Sequence, residues 1–130
     1  MFNELHFSNE LAPNELEFLT NLRRDFHAHP ELGFEEHRTS DIVAELLSDA
    51  GLSVHRGLGK TGVVGTLSCG NGAAAIGLRA DMDALAMPET ANRPYRSLVD
   101  GKMHACGHDG HTTLLIGAAR QLRCKTASGP

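Results

Sequence analysis

Eight consecutive residues, His104-Ala105-Cys106-Gly107-His108-Asp109-Gly110-His111, contain three histidines, a cysteine and an aspartate, separated by glycines and one alanine. Cys106 and His108 are two apart, and an extended backbone puts residues at that spacing on one face. His104 falls on the same face. Thiolate and imidazole are the donors that zinc and similar ions accept, whereas carboxylates suit harder ions such as manganese. Glycines on either side let the backbone turn sharply and come close to a ligand. A single buried cysteine would read as a small hydrophobe. A cysteine and histidines at period two, flanked by glycine, point instead to a metal, with Cys106 and His108 as its ligands. His104 is the weakest member of the group, and His111 is equally explained as a solvated residue on a first helical turn.

Two further polar clusters bear on this one. Asp81 and Asp83 follow the apolar run 73–78. Paired acids at the end of a strand can orient a metal-bound histidine or hold a second ion. Two solvated loop aspartates would look the same. His27 and His29 close a helical pattern just before Pro30. A histidine there complements the helix dipole, which explains the pair without a metal. The run Gly57-Leu58-Gly59-Lys60-Thr61-Gly62 invites a phosphate-loop reading. The first glycine stands at the wrong distance from the Gly-Lys-Thr for that motif, and a tight turn between strands accounts for it better.

The elements that must position these groups can be read from periodicity. Leu16, Leu19, Leu22 and Phe26 recur at helical spacing and predict a helix over about 14–27. Ile42, Val43, Leu46, Leu47 and Ala50 predict a second over about 36–50, stopped by Gly51. Residues 53–56 and 62–67 read as short strands around the glycine-rich turn. The small apolar residues 73–78 read as a strand buried on both faces, with Asp81 and Asp83 at its carboxyl end. Leu114, Leu115, Ala118, Ala119 and Leu122 predict a third helix over about 109–123, with Asp109 as its N-cap. The order predicts an α/β fold.

Composition narrows the function classes. The chain has 130 residues, 41% hydrophobic and 22% charged, which suits a folded domain rather than a disordered one. A net charge of -4 argues against nucleic acid as the main partner. No apolar run approaches a membrane span, and residues 1–9 show no basic stretch followed by an apolar one, so a cytoplasmic protein is expected. The three cysteines, Cys69, Cys106 and Cys124, are irregularly spaced and form no disulfide framework, leaving Cys106 available as a thiolate.

Three segments, taken in order, carry a resemblance. Arg24-Asp25-Phe26-His27-Ala28-His29-Pro30-Glu31-Leu32-Gly33-Phe34-Glu35-Glu36, then Leu78-Arg79-Ala80-Asp81-Met82-Asp83-Ala84-Leu85, then Gly101 to Thr112 closely resemble the amidohydrolase branch of the M20 metallopeptidase family. The phrase from His55 to Gly65 looks most like the hippurate hydrolases within that branch. The resemblance covers about residues 14–122. It divides the chain into an N-terminal extension (1–13), the N-terminal part of an M20-type catalytic domain (14–122) and an atypical tail (123–130).

The resemblance implies a zinc-exopeptidase-like three-layer α/β/α catalytic domain, of which this chain is an incomplete N-terminal portion. It implies hydrolysis of N-acyl amino acids to a carboxylate and an amino acid, with two divalent metal ions (Zn, Mn, Co or Ni) in the complete enzyme. The family's Cys-Gly-His ligands fall on Cys106 and His108. Asp81, Asp83 and Asp109 are expected behind the ligands, orienting or capping rather than coordinating. The glutamate pair and later histidines of the family, including the general base, are expected beyond residue 130, so the chain alone is expected to be inactive. The partner implied is a small-molecule N-acyl amino acid, not nucleic acid or membrane, with a homo-oligomer admitted for the complete enzyme. Where the family continues Asp-Ala-Leu with proline, this chain has Ala86. The competing reading is a catalytically silent metal-binding or interaction fragment.

Overall fold

The computed structural model describes residues 12–122. The proposed extension 1–13 and tail 123–130 lie almost wholly outside the described residues. Helix α1 spans Pro13–Ala28, α2 His37–Asp49 and α3 His108–Leu122, with strands β1 at Ser53–Leu58 and β2 at Gly62–Thr66. The α/β reading holds, and each helix falls within a residue or two of its predicted span.

Local chemistry explains the ends. Pro13 opens α1, where a missing N–H costs nothing. Helix α2 has no cap from its own N-cap residue Glu36. Glu31 serves instead: its carboxylate accepts from the Arg38 N–H at 2.8 Å and from the Thr39 N–H and hydroxyl, each at 2.6 Å. An anion on free N–H groups at a helix start is favoured by both hydrogen bonding and the dipole. Asp25 and Arg38 then join the end of α1 to the start of α2 through paired bonds of 2.9 Å.

The hairpin is antiparallel, running from Ser53 opposite Thr66 to Leu58 opposite Gly62, with a bulge between Arg56 and Leu58. Its turn holds Lys60 at φ 80°. Glycine is required at position 62, where a Cβ would stand 2.4 Å from the Leu58 carbonyl oxygen. Helix α2 packs on both strands and on α3, and α1 packs on α3. Leu22, Phe26, Val43, Leu47 and Ile116 form the buried core, flanked by Phe18, Leu46, Leu52, Val63 and Met82.

Two expectations are corrected. Residues 73–78 form no strand, and all of them are exposed, Ile76 at 89% and Leu78 at 58%. A strand exists by pairing, and among the described residues nothing pairs with this run, although its apolar composition suits a sheet interior. The sheet of the described residues has two strands only. Helix α3 also turns a different face inward. Asp109, Thr112, Thr113, Ile116 and Gly117 are buried, while Leu114 is 69% exposed. The buried set keeps helical spacing, but all its members except Ile116 are polar or small. Gly117 lets Leu19 approach to 3.0 Å of where a Cβ would be, and Thr113 satisfies its hydroxyl on the Asp109 carbonyl at 2.8 Å.

Candidate metal centre

Three irregular segments meet at the N-terminus of α3. The loop after α1 is tied to residues 84–85 by a parallel bridge between Leu32 and Ala84, with the Ala84 N–H donating to the Glu31 carbonyl at 2.8 Å. Leu85 and Met103 exchange backbone bonds of 2.9 and 3.0 Å. These ties bring Asp81 and Asp83 beside the Cys-Gly-His stretch, which then turns into α3 through Gly107 at φ 86°.

His108 and Asp83 form the central pair. His108 Nδ1 lies 2.9 Å from Asp83 Oδ1 and 3.0 Å from the Asp83 carbonyl oxygen. Nδ1 therefore carries the hydrogen and donates, which leaves Nε2 with a free lone pair. Cys106 is a free, exposed thiol whose Sγ lies 4.0 Å from the same Asp83 carbonyl. A carboxylate behind a histidine, with a thiol beside it, is how proteins orient ligands for divalent ions. The donor set fits such an ion but does not complete a site. Among the described residues no group of three or more His, Cys, Asp or Glu side chains converges to hold one.

Asp81 is placed differently. Its side chain pairs with Arg79, and its carbonyl accepts from the Thr112 hydroxyl at 3.0 Å. It therefore fastens the 81–83 segment to α3. Asp109 is the second residue of α3, inside the helix rather than at its N-cap. Its carboxylate faces inward. Oδ2 lies 2.8 Å from His27 Nδ1 and 3.4 Å from Arg23 Nε.

Two residues, His27 and Glu89, make contacts that residue order does not show. His27, expected to complement the helix dipole, is buried, and its Nε2 lies 3.1 and 3.2 Å from the two oxygens of Glu89. Glu89 also accepts from the Ser97 N–H at 2.6 Å. Burial raises the Glu89 carboxyl, but the Ser97 bond, the bond and charge of His27, and Arg93 outweigh it and hold it below the usual 4.5. No local signal marks Glu89, which sits in a proline-punctuated loop 62 residues from its partner. His104 is 4% exposed, and neither ring nitrogen has a partner; Asp109 Oδ1 is likewise unpartnered. Burial holds the His104 imidazole below its ordinary value, with Asp109 pulling it up and His27 and His108 pushing it down.

Cys69 is disulfide-bonded, while Cys106 is free.

The sequence and the fold are both similar to M20 metallopeptidases: the model of Peptidase family M20/M25/M40 matches residues 77–130. A hippurate hydrolase of Campylobacter jejuni is 51% identical over 108 residues, covering 83% of this chain and 28% of that one. IAA-amino acid hydrolase ILR1-like 4 of Arabidopsis thaliana is 49% identical over 107 residues, covering 82% of this chain and 24% of its own length. The crystal structure of the Bacillus subtilis YXEP protein, a dinuclear metal binding peptidase from the M20 family, superposes with a TM-score of 0.83. It is 39% identical, over 87% of this chain and 32% of that one. The chain thus spans about a quarter of the length of these curated relatives.

No helix among the described residues is long and apolar enough to cross a membrane.

Proposed function

We propose that this chain carries one part of the metal site of an M20-type amidohydrolase, with Cys106 and His108 as ligands of a divalent ion. The observation that carries the reading is the His108–Asp83 pair beside the free Cys106 thiol. Asp83 fixes the His108 ring and keeps Nε2 available. Asp81 and Asp109 anchor the two segments that bear the pair. The reaction proposed is hydrolysis of an N-acyl amino acid: water adds to the amide carbonyl, the C–N bond breaks, and a proton passes to the departing amine. Two divalent ions, when bound, supply an activated water and polarise the carbonyl. A cytoplasmic enzyme acting on a small molecule completes the reading. The likeness to a hippurate hydrolase and to an IAA-amino acid hydrolase supports the small-molecule substrate.

Turnover is proposed to need donors and a base besides those described here. Of the candidates by residue type, Glu31, Glu35, Glu36 and Glu89, the first holds the α2 N-terminus, Glu35 pairs with Lys102, Glu36 accepts from the Thr61 hydroxyl and Glu89 is engaged with His27. A silent metal-binding fragment is the second reading, favoured by the lack of a third converging donor among the described residues.

A chimera separates the two. This chain would replace the matching 108-residue stretch of the Campylobacter jejuni enzyme. Chain and chimera would be assayed side by side with benzoylglycine and manganese or zinc. The chain alone should release no glycine, and the chimera should release it until Cys106→Ala abolishes turnover. A folded, metal-loaded chimera that cleaves no N-acyl amino acid would leave the silent reading in place.

A further inference from the structure

Helix α1 reaches the proposed metal loop through three buried ionisable side chains. His27 sits between Asp109 and Glu89, and the side chains of all three are at most 2% exposed. An ionised carboxylate only accepts, so the contacts are all satisfied with a hydrogen on each ring nitrogen of His27. Burying such groups costs several kcal/mol per ion unless geometry and further bonds offset it. Here the offsets are present: the Ser97 N–H on Glu89, Arg23 on Asp109, and the Tyr95 ring edge-on to His27 at 5.5 Å between centroids. For stability alone, apolar residues of similar volume serve as well or better in such a place. The arrangement calls for another account.

Its location supplies one. Asp109 follows His108 directly, and Gly107, at φ 86°, precedes it. On the other side the loop is held by the Leu85–Met103 backbone pair. Asp109 Oδ1 has no partner, so the carboxylate is fixed through Oδ2 alone. The first turn of α3, which carries His108, is therefore tied to α1 through the 2.8 Å contact between His27 and Asp109 Oδ2, with Arg23 at 3.4 Å from the same oxygen.

We propose that His27, braced by Glu89, is a positioning residue for the metal-binding loop: it fixes Asp109 and, through it, the first turn of α3 that carries His108. This rests on the reading that Cys106 and His108 hold a divalent ion.

The test uses the full chain, cobalt(II) as the probe, and the variants His27→Gln and Glu89→Gln. One readout is cobalt affinity, followed by the absorbance of the cobalt–thiolate bond at Cys106. The other is amide hydrogen exchange at residues 107–113 compared with the core around Val43 and Ile116, measured without metal. Loss of an outer partner of a ligand typically weakens metal binding about 10–100-fold. His27 acts one contact further back, through Asp109, so we expect a loss at the low end of that range, about tenfold, for both variants, and faster exchange confined to 107–113. Unchanged affinity together with uniform acceleration across the core would overturn the inference and leave the metal reading intact. No cobalt–thiolate signal in the wild type, matched by Cys106→Ala, would sink the metal reading; the exchange pattern would then decide the role of His27. Should His27→Gln fail to fold, Glu89→Gln carries both readouts, since it keeps the shape and a bond to His27 while removing the charge.

Discussion

His108 and Asp83 are 25 residues apart in sequence and 2.9 Å apart in space, joined at His108 Nδ1. This contact places a hydrogen on His108 Nδ1 and keeps that nitrogen engaged with Asp83. Asp83→Ala should weaken cobalt or zinc binding by about 10–100-fold and leave the helix content unchanged. Isothermal titration of wild type and variant measures this. Equal affinities would show that His108 orients itself without its carboxylate.

The metal assignment has its own test. A Cys106→Ala, His108→Ala double variant should take up markedly less zinc or manganese than the wild type. Uptake is read by elemental analysis after dialysis. Equal uptake would refute both ligands together.

The core around Ile116, which is 2% exposed, sets the stability of the α1–α3 contact. Ile116→Ala should cost about 2–5 kcal/mol, by lost transfer energy and the cavity left behind. Urea unfolding would measure the loss. Leu114→Ala, at a side chain 69% exposed, should change stability by less than about 0.5 kcal/mol. A larger effect at Leu114 than at Ile116 would reverse the assigned faces of α3.

Acid should weaken the fold through Glu89. Its carboxyl lies below 4.5 when folded, so the unfolded chain binds the proton more readily. The stability it contributes is complete above the unfolded value and is lost as pH falls through the folded one. Urea midpoints measured from neutral pH down through this window should drop more steeply for the wild type than for Glu89→Gln. Parallel curves would mean that Glu89 titrates alike in both states.

The hairpin turn depends on a missing side chain. In Gly62→Ala the new methyl would meet the Leu58 carbonyl at 2.4 Å, and the backbone must move. A loss of about 1–3 kcal/mol is expected, as for other overpacked sites. A variant as stable as the wild type in urea would show that the bulge beside Leu58 absorbs the strain.

Much of the candidate site could be read from residue order alone, because its proposed ligands are neighbours. Cys106 and His108 stand two apart between glycines, and their types name the chemistry before any fold is known. The three helices were legible for a similar reason: a 3.6-residue period and end signals such as Pro13, Pro30 and Gly51 are local. Which face of α3 is buried was not legible. Hydrophobicity alone chose Leu114 and Leu115, while packing chose Thr112, Thr113 and Gly117, whose small size admits Leu19 to 3.0 Å. The run at 73–78 has the composition of a buried strand, yet composition cannot supply the partner that makes a strand. Nor could the sequence show that His27 meets Asp109 across 82 residues and Glu89 across 62. Those contacts exist because α1, α3 and the loop before α3 close around one core, and the cost of burying charge holds only where all three arrive together.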